Sequence, residues 1–217
     1  MSDEHSAFVV ATVVSGRPIG GEVEHENGRL RMNTNVPSFP VIDSTRLQLR
    51  PLVVADAEAL HRAYGDPEAM RFWDFPASVD LAQTAKRIEQ SLGVSPERHA
   101  AWGVVLKRDP PTLVGMVNYH RREPWNRRFE VGYILARPYW RQGLMHEAMI
   151  PFIDYCIERL DTHRIEALIE PGNVDSLRLA DRLGFKRESD LMRDHLLVAG
   201  EFRSVLMYAL LAPEWRR

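Results

Sequence analysis

The chain has 217 residues, of which 45% are hydrophobic and 27% charged, and its formal net charge is −2 at pH 7. Such a composition is typical of a globular domain with a substantial core, and the small net charge disfavours a nucleic-acid-binding function. No apolar run reaches the roughly 18 residues of a membrane span, and the acidic start of the chain lacks the positive charge of a secretory signal.

The cysteine content bears on the cellular compartment and on whether the protein holds a structural metal. The chain has one cysteine, Cys156, which cannot form an internal disulfide, and no cysteine and histidine grouping has zinc spacing. We therefore expect a cytoplasmic protein without a structural metal.

Residues 1–43 differ in texture from the rest of the chain. A short β-prone run, "FVVATVV", is followed by glycine- and proline-rich segments that disfavour a long helix. We predict an N-terminal extension over 1–43, which is either flexible or a small added hairpin, and one folded domain over 44–217. No internal repeat or second domain is visible.

From residue 45 the pattern predicts a strand followed by two helices. Leu47 and Leu49 alternate with polar residues in "TRLQLRPL", as in a half-buried strand. "ADAEALHRAYGDPEAM" predicts a helix that is interrupted before Pro67. The next stretch predicts a second helix, with Ser78 as its N-cap and Gly93 at its end.

The remaining elements complete an α/β pattern with a mixed sheet. Three apolar runs separated by turns predict an antiparallel meander. Helical periodicity follows between Met149 and Leu160, and then a strand, a helix that starts at Asn173, a further strand, and a strand pair joined near Gly200. The three runs of the meander are "AAWGVVLK", "TLVGMVNYHR" and "RRFEVGYILA".

The stretch "YWRQGLMHEA", residues 139–148, lies where the last strand of the meander leads into a helix. A helix N-terminus presents unpaired N–H groups and a partial positive charge, so a glycine turn there can bind phosphate. Gly143 and the cation Arg141 fit that use, although a glycine at such a position often only permits a tight turn. Neither a P-loop nor a complete GxGxxG is present.

Three blocks occur in order along the chain: "EVGYILARPYWRQGLMHEA", "IEPGNVDSLRLADRLGFKRE" and "GEFRSVLMYALLAPEW". Together with the opening "STRLQLRPLVVADAEAL" they resemble the GNAT acyl-CoA N-acyltransferases, in the group of the ribosomal-protein N-terminal acetyltransferases RimJ and RimL. The resemblance covers about residues 44–215. It implies a GNAT-type fold, a central and mostly antiparallel twisted sheet with one splayed parallel strand pair, flanked by helices.

The resemblance also implies a site for acetyl-CoA as co-substrate. The family's Q/R-x-x-G-x-G/A turn, which cradles the coenzyme A pyrophosphate with backbone amides, corresponds here to residues 140–145. Trp140 and Met145 depart from the pattern, while Gly143 is kept. The expected coenzyme-binding residues are Leu135, at the splayed strands, Arg141, Gln142, Gly143, Leu144, Met145, His146 and Asn173.

Catalytic candidates follow from the same resemblance and from the needs of amine acetylation. Glu130 is the candidate base or substrate-orienting carboxylate, and the alternative is a surface glutamate paired with Arg127 or Arg128. Ala180 stands where many GNAT enzymes have a proton-donating tyrosine. Ser176 is placed to contact the thioester sulfur or a water, and N-terminal helix capping is its alternative, as it is for Asn173.

The function expected is acetyl transfer from acetyl-CoA to a primary amine, directly and within a ternary complex. The acceptor is left open between a protein N-terminal α-amine and a small amine such as a polyamine, an amino acid or an aminoglycoside. No nucleic-acid or membrane partner is expected, and the resemblance is compatible with a homodimer. Since Ala180 and the turn depart from the pattern, a non-catalytic acyl-CoA-binding module is the alternative.

Overall fold

The computed structural model describes residues 39–215, and within them four α-helices flank one twisted sheet. The strands are β1 Ile42–Asp43, β2 Leu47–Pro51, β3 Ala100–Leu106, β4 Thr112–Glu123, β5 Arg128–Leu135, β6 Arg164–Ile169, β7 Lys186–Arg187, β8 Met192–Val198 and β9 Glu201–Leu211. The helices are α1 Ala57–Tyr64, α2 Leu81–Leu92, α3 Leu144–Arg159 and α4 Val174–Arg182.

The sheet is mostly antiparallel and contains one parallel pair. Its order is β1-β2-β3-β4-β5-β6-β9-β7, and β8 pairs with β9. The strands β5 and β6 run parallel, and α3 forms the connection between them. The fold predicted from the sequence, a mixed sheet with a parallel pair at this point, is confirmed.

Each face of the sheet carries its own core. On one face, α3 and α4 pack against the sheet, and Phe152 and Met149 of α3 are fully buried. On the other face, α1 and α2 pack against the sheet through residues such as Leu60 and Ile88. Since β3 is covered on both sides, its sequence is apolar throughout rather than alternating.

The structure corrects the predicted N-cap of α2. Ser78 is buried, and its hydroxyl accepts a hydrogen bond from Arg87 at 3.2 Å instead of capping the helix. The cap is Asp80, whose carboxylate accepts from the backbone N–H of Gln83 at 2.7 Å. The predicted end at Gly93 and the predicted start of α4 at Asn173 agree with the structure.

Most of the predicted N-terminal extension, up to residue 38, lies outside the described residues, so that prediction stays open. The described residues that follow pack on the sheet: the Phe39 ring lies 5.0 Å from that of Trp102, and Trp102 donates to the Pro40 carbonyl at 3.0 Å. Within residues 39–215, no helix combines the length and the apolar character needed to cross a bilayer.

Candidate functional site

The parallel strands β5 and β6 pair over only three positions, from Arg128–Arg164 to Glu130–Glu166. Beyond that point β5 continues to Leu135 and β6 to Ile169, so a gap opens between the two strands toward their C-terminal ends. The helices α3 and α4 follow these strands in the chain and begin at the same edge of the sheet.

Leu135 presents its backbone to this gap. The N–H of Ala136 donates to the Val114 carbonyl of β4 at 2.9 Å. Because successive residues of a strand direct their amides to opposite sides, the Leu135 amide and carbonyl face away from β4 and toward the gap. The carbonyl accepts from the indole N–H of Trp140 at 2.7 Å, which fixes the end of β5 against the turn that follows.

The turn into α3 has the backbone shape that the sequence suggested. Gly143 is the N-cap with a φ of 73°, and Arg141 also has a positive φ, of 59°. The Gly143 carbonyl accepts from the N–H of Glu147 at 3.0 Å, which starts the helix. The preceding N–H groups of the first turn have no carbonyl partner within the helix, as at any helix N-terminus.

The side chains of the turn divide into buried and exposed ones. Leu144 and Met145 are buried in the core under α3, whereas Arg141 and Gln142 are exposed. Leu144 and Met145 can thus contribute to a ligand site only through their backbone. This explains how methionine can replace the small residue of the family pattern, because its side chain points away from the turn into the core.

A cluster of hydrogen bonds and one ion pair, which we call the clamp, joins this turn to β2 and the residues before it. The sequence did not predict it. Glu147 of α3 accepts from the Ser44 hydroxyl at 2.8 Å and from both the backbone and the guanidinium of Arg46 at 2.6 Å. Arg46 also donates to the Gln142 carbonyl at 3.2 Å. About a hundred residues separate the partners along the chain, so no spacing signal in the sequence announces them.

The clamp sets the charge beside the helix N-terminus. Burial raises the pKa of Glu147, but hydrogen bonds from Arg46 and Ser44 and the Arg46 charge outweigh burial, and the pKa lies below its ordinary value. Glu147 is therefore an ionised carboxylate whose charge Arg46 compensates. Without that compensation it would repel an anion bound at the turn.

His146 and Asn173 lie at the starts of α3 and α4. His146 is half-buried and lines a shallow surface groove together with Arg182 and Trp215. The Asn173 side chain accepts from the backbone N–H of Ser176 at 3.3 Å, so the predicted capping role of Asn173 is present. The side chain of Ser176 does not cap the helix and instead makes a hydrogen bond with Tyr133.

Tyr133 is the tyrosine that the structure places beside Ser176. Burial raises its pKa, and the hydrogen bond with Ser176 acts in the opposite direction. Ala180, at the position of the family's tyrosine, is buried in the core under α4. Tyr133 comes from β5 rather than from α4, so the sequence pattern for α4 could not have indicated it.

Glu130 is held by partners other than those considered from the sequence. Its carboxylate accepts from Arg121 at 3.0 and 3.1 Å and lies 3.4 Å from His120 Nε2. Arg127 pairs instead with Asp161. Arg128 pairs with Glu123 and Glu166. Arg127 and Arg128 are therefore not the partners of Glu130, and the ion pair that the alternative expected is made with Arg121, with the Glu130 side chain 17% exposed.

The surroundings keep Glu130 ionised. Burial raises its pKa, but the hydrogen bond and charge of His120 and the charge of Arg121 outweigh burial, and the pKa lies below its ordinary value. Glu130 lies on the sheet face that α1 and α2 cover, at the point where the gap begins. A carboxylate thus stands at one end of the gap and the turn into α3 at the other.

Three tryptophans on or near the sheet have different environments. Trp102 is fully buried in the core, and Trp125 is 77% exposed in the turn before β5. Trp73 lies between α1 and α2 and packs with Tyr64 and Phe75 at ring distances of 6.1 and 6.0 Å. Arg203 of β9 donates to the Trp73 carbonyl at 3.3 Å, so this segment borders the same face as Glu130.

Cys156 has the environment of a core residue. It is fully buried on α3, and burial raises the pKa of its thiol well above the ordinary value. Within the described part of the chain, no group of three or more histidine, cysteine or acidic side chains is arranged to hold a metal ion.

The fold and this site define an acyltransferase of the GNAT class. The model of the GNAT acetyltransferase domain matches residues 46–186, and the chain belongs to this family. It is 31% identical over 170 residues to the uncharacterized N-acetyltransferase p20 of Bacillus licheniformis. The matched region covers 78% of this chain and 95% of the relative.

Two further comparisons concern proteins that act on ribosomal proteins. The [ribosomal protein uS5]-alanine N-acetyltransferase of Escherichia coli is 32% identical over 109 residues, which are 49% of this chain and 55% of that protein. The solved structure of RimL, the ribosomal L7/L12 α-N-protein acetyltransferase, in complex with coenzyme A matches with a TM-score of 0.70 at 21% identity, over 79% of this chain and 98% of RimL. At that identity the structural match concerns the fold.

Proposed function

We propose that this protein transfers an acetyl group from acetyl-CoA to a primary amine, directly and within one ternary complex. The observation that carries the proposal is the gap between β5 and β6, bordered by the Leu135 backbone, by the turn at Gly143 and by the ionised Glu130. These groups supply what the reaction needs: an anion site, a backbone partner for an extended arm, and a carboxylate at the reacting end.

Acetyl-CoA would be bound by the groups that border the gap. The N–H groups at the start of α3 would bind the pyrophosphate, with Arg141 as an exposed cation beside them. The Leu135 amide would bind the pantetheine arm, and Asn173 and His146 lie at the adjoining helix starts. Acetyl-CoA supplies an activated acyl group as a thioester.

The residues of this chain would then serve the transfer in three ways. Glu130 would orient the amine or take its proton, since a primary amine with a pKa of roughly 8–10 is mostly protonated at neutral pH. Ser176 would contact the sulfur or a water and so serve the departing thiolate. The backbone of β5 would polarise the thioester carbonyl.

The acceptor class proposed is the N-terminal α-amine of a protein. The names of two relatives, a ribosomal protein uS5 alanine N-acetyltransferase and RimL, motivate this choice, and a small amine is the alternative. A cytoplasmic location follows from the same proposal, because ribosomal proteins are cytoplasmic acceptors.

An acceptor screen tests the function. The full chain is incubated with acetyl-CoA and a panel of peptides with free N-termini, matched peptides with blocked N-termini, polyamines and amino acids, and thiol release is measured. We expect release above background hydrolysis with free N-termini, and none with the blocked peptides. Release with polyamines alone would show that the acceptor is a small amine, and the protein would still be an acetyltransferase.

The second candidate function is a non-catalytic acyl-CoA-binding module, which Ala180 favours because the family's usual proton donor is missing. Calorimetry separates the two functions. If acetyl-CoA binds and no amine in the panel is acetylated by the wild type, the binding-module function is the correct one.

A further inference from the structure

His120 stands beside Glu130 and has no role in the transfer described above. The two residues are direct cross-strand partners on β4 and β5. His120 Nε2 lies 3.4 Å from the Glu130 carboxylate, and His120 Nδ1 lies 3.3 Å from Asn118 Oδ1. Both ring nitrogens therefore face oxygen acceptors.

One nitrogen of a neutral His120 ring is free to accept a proton. A neutral imidazole carries a single N–H, so when Nε2–H donates to the Glu130 carboxylate, Nδ1 is left with a lone pair. Once Nδ1 has taken up a proton, it can donate to Asn118 Oδ1, which lies 3.3 Å away. The His120 side chain is 33% exposed, so such a proton can leave to solvent.

The Glu130 carboxylate by itself is poorly suited to retain a proton. Burial raises its pKa, but His120 and Arg121 together lower the pKa below the ordinary carboxylate value. A base works best when its pKa lies near the working pH, and imidazoles in general have a pKa of about 6.5. The carboxylate is better suited to hold a neighbouring cation than to keep the proton itself.

The backbone opposite Asn118 makes room for this arrangement. Asn118 is buried and is the cross-strand partner of Gly132. A Cβ atom at Gly132 would lie only 2.6 Å from Asn118 Oδ1, so any larger residue would displace the amide that faces His120. The glycine of the "EVGY" strand is thereby tied to the position of the imidazole.

We propose that His120 accepts the proton of the acceptor amine, directly or through one water, while Glu130 stays ionised and holds the imidazolium. This inference rests on the proposed acetyltransferase function. The freed amine nitrogen bonds to the thioester carbonyl carbon, and the C–S bond breaks with its electron pair going to sulfur. The second proton of the nitrogen passes to the thiolate, so an ammonium and a thioester yield an amide, a thiol and one proton, which leaves through His120.

Other charged groups around His120 fit this role. Arg121 balances the Glu130 charge from the same strand as His120. His99 precedes β3, and its Nε2 lies 2.5 Å from Ser91 Oγ. Burial and the charge of His120 lower the pKa of His99 to about 4. His99 therefore stays neutral near pH 7 and does not compete for the proton.

The test compares His120→Gln with wild type across pH, with the acceptor that the screen identifies. We expect kcat/KM at neutral pH to fall by about 100-fold or more, within the usual range for loss of a general base. The loss should shrink to a few-fold above about pH 9, where an α-amine is already mostly in its neutral form. Acetyl-CoA affinity should stay within about twofold by calorimetry, since His120 does not border the turn.

Three further variants test the base role of His120. His163→Gln, an exposed histidine before β6, is the matched control and should keep wild-type activity. His120→Ala should recover activity on addition of imidazole. In the double variant His120→Gln with Glu130→Gln, the second change should cost less than about threefold, because residues that act as a unit are not additive.

Particular outcomes overturn the inference. A His120→Gln enzyme within threefold of wild type at pH 7, or a loss of the same size at all pH values, removes the base role. So does a Glu130→Gln change that costs the same factor with and without His120. Absence of turnover by the wild type with every amine, while acetyl-CoA still binds, is a different result and overturns the proposed function itself.

Discussion

The turn into α3 presents backbone amides, whereas the face around Glu130 presents side chains that are held in ion pairs. At the turn, the side chains of Leu144 and Met145 are in the core, and Gly143 supplies only its conformation. At Glu130, each proposed role depends on one carboxylate or ring and its partners. We therefore expect the first region to tolerate sequence departures that the second does not.

The difference predicts which substitutions act on turnover and which on binding. Changes on the Glu130 face should lower kcat and leave the Kd of acetyl-CoA unchanged. Changes at the turn should raise that Kd, and they should do so through backbone conformation more than through charge.

The largest effect is expected for Glu130→Gln, which keeps the size of the side chain and removes its charge. Turnover should fall by about 100-fold or more, whether the carboxylate orients the amine or holds His120. Steady-state thiol release gives kcat, and calorimetry should show an unchanged Kd for acetyl-CoA. Glu123→Gln is the matched control, because Glu123 is also an ion-paired carboxylate on this part of the sheet. Equal losses in both variants would contradict a special role for Glu130.

The next effect is expected for Gly143→Val. A Cβ at Gly143 would meet only Arg46, at 3.8 Å, so the substitution acts through the φ of 73° and not through a clash. Strain of about 1–3 kcal/mol should shift the turn and weaken acetyl-CoA binding roughly 10- to 100-fold. Calorimetry measures the Kd.

Gly200→Val is the control for this strain. Gly200 has a φ of 86° in the β8–β9 hairpin, with no neighbouring atom within 4 Å of an added Cβ. It should destabilise the protein by a similar amount and leave the Kd unchanged. An unchanged Kd for Gly143→Val would remove the turn from the coenzyme site.

A smaller effect concerns the clamp on the turn and its dependence on pH. Because the folded pKa of Glu147 is lowered from 4.5, its contribution to stability is present above pH 4.5 and is lost as pH falls through the folded pKa. Glu147→Gln should therefore lower the free energy of unfolding by about 1 kcal/mol at pH 7 and by much less in acid. Urea unfolding at several pH values measures this, and a pH-independent difference would contradict the ionic role.

The smallest effect is expected for Arg141→Ala. The side chain is exposed and adds charge to a site that the backbone forms, so the Kd of acetyl-CoA should rise only about two- to fivefold. The rise should be smaller still at high salt. A loss as large as that of Gly143→Val would mean that the guanidinium, and not the amides, dominates binding.

Much of the fold was predictable because periodicity survives tertiary packing. The alternation around Leu47 and Leu49 and the apolar run of β3 correspond to strands, and Asn173 begins α4. The N-cap of α2 was not predictable, because Ser78 and Asp80 are both good capping residues. Burial of Ser78, and its contact with Arg87, decided between them.

The site was predictable only where it is local in sequence. Gly143 was proposed from its place before a helix, and Glu130 was proposed from the resemblance to the family. The pairing of Glu130 with His120 depends on the register of β4 against β5, which shifts between His120 and Glu123. The contact of Glu147 with Arg46 joins two distant segments. Neither leaves a spacing signal in the chain.

Thiol release from acetyl-CoA, with free and blocked N-terminal peptides compared side by side, is the decisive measurement. Acetylation by direct transfer predicts release that requires a free amine, rises with amine concentration and yields a peptide heavier by one acetyl group in the mass spectrum. Tight acetyl-CoA binding with no amine-dependent release from any acceptor would contradict it.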